Sequence, residues 1–252
     1  MTLYMIGIGL WDEKDITVKG LEAIKICSKV FLETYTSKLG VSTEQLEKFY
    51  GKKIILASRA LVEKSANEVL EPAKKSNVAL LVIGDVFSAT THTDLFLRAK
   101  EMKIDVVIIN NASILNAVGI VGLELYKYGK TTSIPFHNKD IQTPYDIIKQ
   151  NKKSKLHTLL LLDIDSEHDK YMTIKEAITY LLRVEEKRKE NVFTQDTKCI
   201  GAARLGSEKP IIAYATAEQL LKTDFGEPLH SLIVPGELHF VEEEALRNWK
   251  NI

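Results

Sequence analysis

Five short runs rich in valine, isoleucine and leucine recur through the first half of the chain, at Leu3–Ile8, Val30–Glu33, Ile54–Ala57, Val78–Ile83 and Val106–Ile109. Between them lie segments with helical spacing of apolar residues, at 17–28, 42–49, 60–75 and 91–102. The segment 60–75 places Leu61, Val62, Ala66, Val69, Leu70 and Ala73 on one stripe. Apart from Glu33, which ends the second, the runs are apolar and do not alternate with polar residues, so both faces of each strand expect cover. That pattern belongs to a parallel sheet with helices packed on its two faces.

The second half reads differently. A helix-like run at 114–126 precedes a strand near Thr132–Phe136, a helix at 145–151 and a strand at His157–Leu162. A long charged helix is expected over 173–190, with an apolar stripe of Ile174, Ala177, Ile178, Leu181, Leu182 and Val184. Strands at 198–204 and 211–215 are joined by the turn sequence LGSEKP, which predicts an antiparallel hairpin. A short helix at 216–222, a strand at 231–234 and a helix at 239–249 follow. The expected fold class is therefore α/β, with a parallel-sheet domain over 1–112 and a mixed-sheet domain over 113–252. The absence of a Pro/Gly linker between them predicts close packing and a ligand cleft between the lobes.

Charge removes some functions. The 34 basic side chains equal the 34 acidic ones, so a general nucleic-acid coat is not expected. The lysine-rich stretch KQNKKSK at 149–155 reads as a solvated loop. The two cysteines, Cys27 and Cys199, are far apart in apolar surroundings, which predicts buried thiols and neither a disulfide framework nor a cysteine zinc site. No apolar run is long enough to span a bilayer, and the first residues lack a basic leader, so the expected location is the cytoplasm.

Ligands of open parallel sheets gather beyond the carboxyl ends of the strands. Four such ends stand out: GIGLWDEKD, GDVFSATTH, NNASILNAVG and, in the second lobe, LLLLDID. Gly7 and Gly9 open the first, but Asp12 stands where a dinucleotide fingerprint needs its third glycine. In the second, Gly84 permits a turn and Asp85 stands at the sheet edge, with Ser88, Thr90, Thr91 and His92 following. Thr90 or Thr91 is expected to cap the next helix, and Ser113 to cap the helix from Ile114. No phosphate loop, HExxH motif or nucleophile elbow occurs. The six histidines are scattered, no metal site is expected, and His157 reads as a hydrogen-bonding strand-end residue.

Taken in order, LYMIGIGLWDEKDITVKGLEAIKIC, GDVFSATTHTDLFLRAK, ASILNAVGIVGLELYKYGK, LHTLLLLDI and HSLIVPGELHFVEEEAL resemble the diphthine synthase family of diphthamide-pathway methyltransferases. The resemblance implies a two-domain tetrapyrrole-methylase-like fold that binds S-adenosylmethionine in the cleft between the domains and assembles as a homodimer. It implies a protein substrate, translation elongation factor 2, at a histidine carrying a 3-amino-3-carboxypropyl group. The amine of that group is methylated repeatedly to diphthine, and S-adenosylhomocysteine is released. Motif by motif, the implied cofactor-binding residues are Leu10, Asp85, Ser88, Ser113, Ile114, Leu162, Leu205 and His230. No catalytic base is implied; Asp85, His92, His230 and water are all open. Val86 stands where many members have proline, which predicts a less rigid loop. The alternatives are a methyltransferase of the same fold acting on a tetrapyrrole, and a non-catalytic cofactor sensor.

Overall fold

The computed structural model describes residues 1–137 and 140–249. It divides after Ala117 into two compact units, Met1–Ala117 and Val118–Ile252.

The first unit is a five-stranded sheet in the order β3-β2-β4-β1-β5. Its strands are β1 (Thr2–Gly7), β2 (Lys29–Glu33), β3 (Ile54–Ala57), β4 (Val78–Val82) and β5 (Asp105–Ile109), and every pairing is parallel. The connecting helices are α1 (Val18–Lys25), α2 (Thr43–Tyr50), α3 (Asn67–Ala73) and α4 (Thr93–Glu101). The two-residue period of the strands sorts their side chains between two cores. Leu3 and Met5 of β1, with Val78, Leu80 and Val82 of β4, pack among Val69, Leu70, Leu95 and Ala99 of α3 and α4. Ile6, Ala79 and Leu81 point the other way, among Ala23, Ile24, Leu46 and Tyr50 of α1 and α2. Each fully buried leucine or isoleucine here stabilises the fold by roughly 1.5–3 kcal/mol relative to exposure.

The helix starts are written locally. The Thr17 hydroxyl accepts from the Gly20 amide at 3.0 Å to start α1. Ser42 and Gln45 form a reciprocal box at the start of α2, which stops at Gly51 in the left-handed region, φ +67°. The expected helix over 60–75 is two pieces. A π-helical turn at Ala60–Lys64 closes with Ser65 N–H donating to the Ala60 carbonyl, and α3 begins only at Asn67. The expected helix over 114–126 is likewise broken. After α5 (Ile114–Ala117) come two 3₁₀ turns, Val118–Val121 and Leu125–Lys127, separated at Gly122, whose φ of +92° no continuing helix allows.

The second unit holds a five-stranded sheet in the order β11-β10-β12-β7-β6. These strands are β6 (Thr132–Ile134), β7 (Thr158–Leu162), β10 (Lys198–Ala203), β11 (Ile211–Thr216) and β12 (His230–Val234). β6 and β7 are parallel and the other pairs antiparallel, and β10 and β11 form the expected hairpin. A small hairpin, β8 (Ile164–Asp165) and β9 (Lys170–Tyr171), follows β7. The helices are α6 (Thr143–Lys153), α7 (Ile174–Arg188), α8 (Ala217–Leu220) and α9 (Phe240–Leu246). The stripe of α7 is buried at Ile174, Ala177, Ile178, Leu181 and Val184, against Tyr145 and Ile148 of α6 and the sheet. The lysine-rich stretch, expected as a loop, instead supplies the last turns of α6. There Lys149 pairs with Glu190 at 3.0 Å, and Lys152 donates to the Val192 carbonyl at 2.6 Å.

One buried acid organises this unit's end. Glu242 of α9 is fully buried and accepts from four donors: the Glu124 amide and His157 Nε2 at 2.9 Å, the His239 amide at 2.8 Å and Lys127 Nζ at 2.5 Å. His157 Nδ1 accepts from the Gly236 amide at 3.0 Å, so the strand-end histidine does act as a hydrogen-bonding anchor. Both cysteines are buried thiols, and burial pushes Cys27 up to about 11 and Cys199 up to about 12.

Candidate functional site

In the first unit β1 lies between β4 and β5, so the chain reverses side across it and the carboxyl ends of these three strands adjoin. Their loops are stitched together. Gly9 and Gly84 bridge in both directions: the Gly9 amide donates to the Gly84 carbonyl at 3.2 Å, and the Gly84 amide to the Gly9 carbonyl at 2.6 Å. Both glycines have φ near +81°, a region where a side chain is strained. The Asp15 carboxylate then accepts from the amides of Leu10 (3.1 Å) and Trp11 (2.7 Å), which closes the post-β1 loop on itself.

Asp85 is the centre of this edge. One oxygen accepts from the Phe87 amide (3.2 Å) and the Ser88 hydroxyl (3.0 Å). The other accepts from Asn110 Nδ2 (3.0 Å) and the Asn111 amide (3.1 Å). Burial alone would push this carboxyl up, but the four donors outweigh it and hold Asp85 below the usual carboxylate range. An anion with all four acceptor positions taken is a poor proton acceptor and a strong clamp between the ends of β4 and β5. Asn111 extends the clamp to β1, since its Nδ2 donates to the carbonyls of Gly7 (3.0 Å) and Asp15 (2.9 Å). In sequence the Asn110–Asn111 pair suits a turn after the strand, and nothing local shows the clamp it forms. Two adjacent asparagines directly after a strand were the available signal, but their partners are distant in sequence.

Ser113 caps α5 as expected: its hydroxyl accepts from the Leu115 amide at 3.2 Å, and its own amide donates to Asn116 Oδ1 at 2.8 Å. Neither Thr90 nor Thr91 caps α4, contrary to expectation. The residue before α4 is His92, which makes no side-chain cap. The Thr90 hydroxyl donates to the Val86 carbonyl at 2.6 Å, and the Thr91 hydroxyl to Glu63 Oε1 at 3.1 Å. Val86 is fully buried, and its carbonyl also lies 3.3 Å from His92 Nδ1. Leu10, Ser88 and Ile114 remain half-buried at this edge, with surface open to a ligand.

In the second unit the remaining three sequence-derived candidates share one end of the sheet. Ala203 of β10 pairs with His230 of β12, and Ser231 pairs with Leu161 of β7. The carboxyl ends of β10 and β7 therefore flank the amino end of β12, where Leu205, Leu162 and His230 stand. His230 Nδ1 accepts from the Ile174 amide at 3.4 Å, and Nε2 donates to the carbonyls of Gly226 and Glu227, each at 3.1 Å. Burial holds His230 below the usual imidazole range, so it is neutral with both nitrogens engaged. His92 is the same case: burial lowers it, and Nε2 lies 3.4 Å from the Tyr35 hydroxyl. None of the three side chains considered as bases is thus free to take a proton. Among the described residues no cluster of histidine, cysteine or carboxylate side chains could hold a metal ion, and no helix is long and apolar enough to cross a membrane.

A parallel sheet with glycine-turned loops at its carboxyl edge, followed by a mixed sheet, is the architecture of a class of methyltransferases. The family profile of the tetrapyrrole (corrin/porphyrin) methylases matches residues 2–221, and the chain belongs to that family. Within it, the diphthine methyl ester synthase of Dictyostelium discoideum is 48% identical, over 99% of this chain and 98% of its own. The diphthine synthase of Methanocaldococcus jannaschii is 46% identical, over 97% of each chain. A crystal structure of diphthine synthase matches with a TM-score of 0.92 at 40% identity, covering 100% of this chain and 96% of that one.

Proposed function

We propose that this chain is the S-adenosylmethionine-dependent methyltransferase of diphthamide biosynthesis. It transfers methyl groups to the amine of the 3-amino-3-carboxypropyl-histidine of translation elongation factor 2, in the cytoplasm and as a homodimer. The observation that carries the reading is near-complete coverage of both chains by a eukaryotic relative named diphthine methyl ester synthase, 48% identical, and an archaeal one named diphthine synthase, 46% identical.

The residues at the carboxyl edge suit the cofactor. Half-buried Leu10 and Ile114 offer apolar surface to the adenosine and the sulfonium, and the Ser88 hydroxyl offers a polar contact. Asp85 is engaged by four internal donors, so its part is to hold the loops that present these groups, while the Ser113 hydroxyl accepts from Leu115 and keeps its proton for a ligand. Leu162, Leu205 and His230 are assigned to cofactor binding from the second unit. When bound, the cofactor supplies an electrophilic methyl group on sulfur.

The amine attacks that methyl in line, so the protein's contribution is orientation in a water-poor site. Such alignment supplies about 7–11 kcal/mol of barrier lowering. Charge moves from sulfur to nitrogen and is not created, which removes the need for a strong counter-charge at the reacting atoms. The amine must be neutral to attack, and each of the first two transfers leaves a proton on nitrogen. With Asp85, His92 and His230 all engaged, that proton passes to water. The rate of the first transfer at low substrate should therefore rise tenfold per pH unit below the amine's own pKa and level off above it. A plateau beginning well below the amine pKa would show an enzyme base instead.

The test of the assignment is the fate of a radiolabelled methyl group. Label should enter elongation factor 2 carrying the aminocarboxypropyl group and no corrinoid precursor. Transfer to the corrinoid alone would overturn the proposal.

A further inference from the structure

A second group of polar side chains lies on the same edge of the first sheet, at the ends of β2, β3 and β4. Glu33, the last residue of β2, is fully buried. Its carboxylate accepts from the Tyr35 amide (3.3 Å), the Thr36 amide (3.2 Å) and the Thr36 hydroxyl. This fixes Tyr35, which is 4% exposed and whose hydroxyl approaches His92. Arg59, just past β3, lays its guanidinium over the Tyr35 ring at 5.3 Å. Glu63, in the π-helical turn, receives the Thr91 hydroxyl at 3.1 Å and lies 3.9 Å from Arg59 Nε.

The group has the marks of a prepared site more than of a structural brace. The Arg59–Glu63 contact is too long for a hydrogen bond, and the two side chains are 62% and 40% exposed, so it stabilises the fold very little. Yet both are oriented, one by an aromatic ring and the other by a hydroxyl. The turn that carries Glu63 is a π-helix, a costly conformation that recurs at functional sites. The loop Val86–His92 serves both ends: Ser88 stands beside the Asp85 clamp, and Thr91 and His92 stand here. The cluster is thus one short loop away from the edge assigned to the cofactor.

An exposed guanidinium fork beside a partly exposed carboxylate matches a ligand carrying a carboxylate and an amine on one carbon. We infer that Arg59 and Glu63 form the acceptor subsite, Arg59 holding the carboxylate of the aminocarboxypropyl group and Glu63 the amine. This rests on the proposed function and adds the residues that select the substrate. Arg59 supplies two parallel N–H donors that match a carboxylate in geometry. Glu63 draws the amine, charged in its resting form, toward the reacting edge. Tyr35 and Thr91 are positioning residues.

The experiment compares wild type with Arg59→Ala, Arg59→Lys and Glu63→Gln. Three quantities are read: KM for elongation factor 2 bearing the aminocarboxypropyl group, affinity for S-adenosylhomocysteine by calorimetry, and thermal stability. Arg59→Ala should raise KM by roughly 10- to 100-fold, Arg59→Lys by less, with cofactor affinity and melting temperature unchanged. Glu63→Gln should raise KM several-fold. An active wild type whose Arg59→Ala and Glu63→Gln variants keep its KM overturns the subsite and leaves the proposed function standing. A loss of cofactor affinity in Arg59→Ala, with KM for the protein unchanged, also overturns it. A wild type that binds cofactor but leaves the modified factor untouched overturns the parent reading, and this one with it.

Discussion

Replacing Asp85 with alanine should abolish S-adenosylhomocysteine binding in the micromolar to millimolar range and lower stability by about 3–5 kcal/mol. The carboxylate is 7% exposed and receives four hydrogen bonds, from Phe87, Ser88, Asn110 and Asn111. Without it, donors at the ends of β4 and β5 lose their partner in a place water reaches poorly. The loop bearing Ser88 and the turn leading to Ser113 then lose their common anchor. Asp85→Asn keeps the shape but turns one acceptor into a donor facing other donors. Its stability loss should be smaller, about 2 kcal/mol, while cofactor binding still falls at least tenfold. Urea titration and calorimetry measure the two effects separately. Asp85→Ala with wild-type affinity would show that the clamp has no part in shaping the ligand edge.

Glu242→Ala should destabilise the second unit by about 3–5 kcal/mol with no direct effect on chemistry. It strands His157 Nε2, fully buried, together with Lys127 and two backbone amides. The same acid sets an acid limit to stability. Burial pushes the Glu242 carboxyl up, but the His239 amide, Lys127, the Glu124 amide and His157 outweigh it and hold it at about 2. Glu185 is also held at about 2, by the Tyr145 hydroxyl and the amides of Phe193, Asn191 and Val192, against the opposing effect of burial. A carboxyl depressed on folding contributes its stability above the unfolded pKa and loses it as pH falls toward the folded one. The unfolding free energy should thus hold above pH ~4.5 and fall between there and pH ~2, with about 3 kcal/mol of the loss traceable to Glu242. Denaturation midpoints across that window, in wild type and in Glu242→Gln, measure it. Equal acid sensitivity in the two proteins would contradict the assignment.

Much of this architecture was legible in the residues. The continuous apolar runs predicted the parallel sheet, because strands covered on both faces leave no polar alternation. The LGSEKP turn predicted the β10–β11 hairpin, and Ser113 its cap. The breaks were less legible. Helical spacing over 60–75 is satisfied equally by a π turn and a separate helix, and over 114–126 the apolar count hid Gly122. The hydroxyls of Thr90 and Thr91 suit a cap, but Glu63 and the Val86 carbonyl compete for them, and neither competitor is visible from local sequence. Asn111, Glu242 and the Arg59–Glu63 group escaped notice for a shared reason. Each acts through partners that tertiary structure brings near: the adjacent asparagines at 110–111 mark only a turn, and a single Glu or Arg carries no periodic or motif signal of its own. The resemblance to a family supplied candidate cofactor residues that spacing alone could not.

One mass measurement decides whether this protein methylates the modified histidine. Elongation factor 2 carrying the aminocarboxypropyl group is incubated with this protein and S-adenosylmethionine, and the modified peptide is weighed over time. Successive methyl increments on that histidine are the predicted result, with none on a factor that lacks the group. Increments that survive mild alkali lie on the amine, and one that is lost there is an ester on the carboxylate. An unchanged mass, with cofactor bound and the factor correctly modified beforehand, would contradict the account.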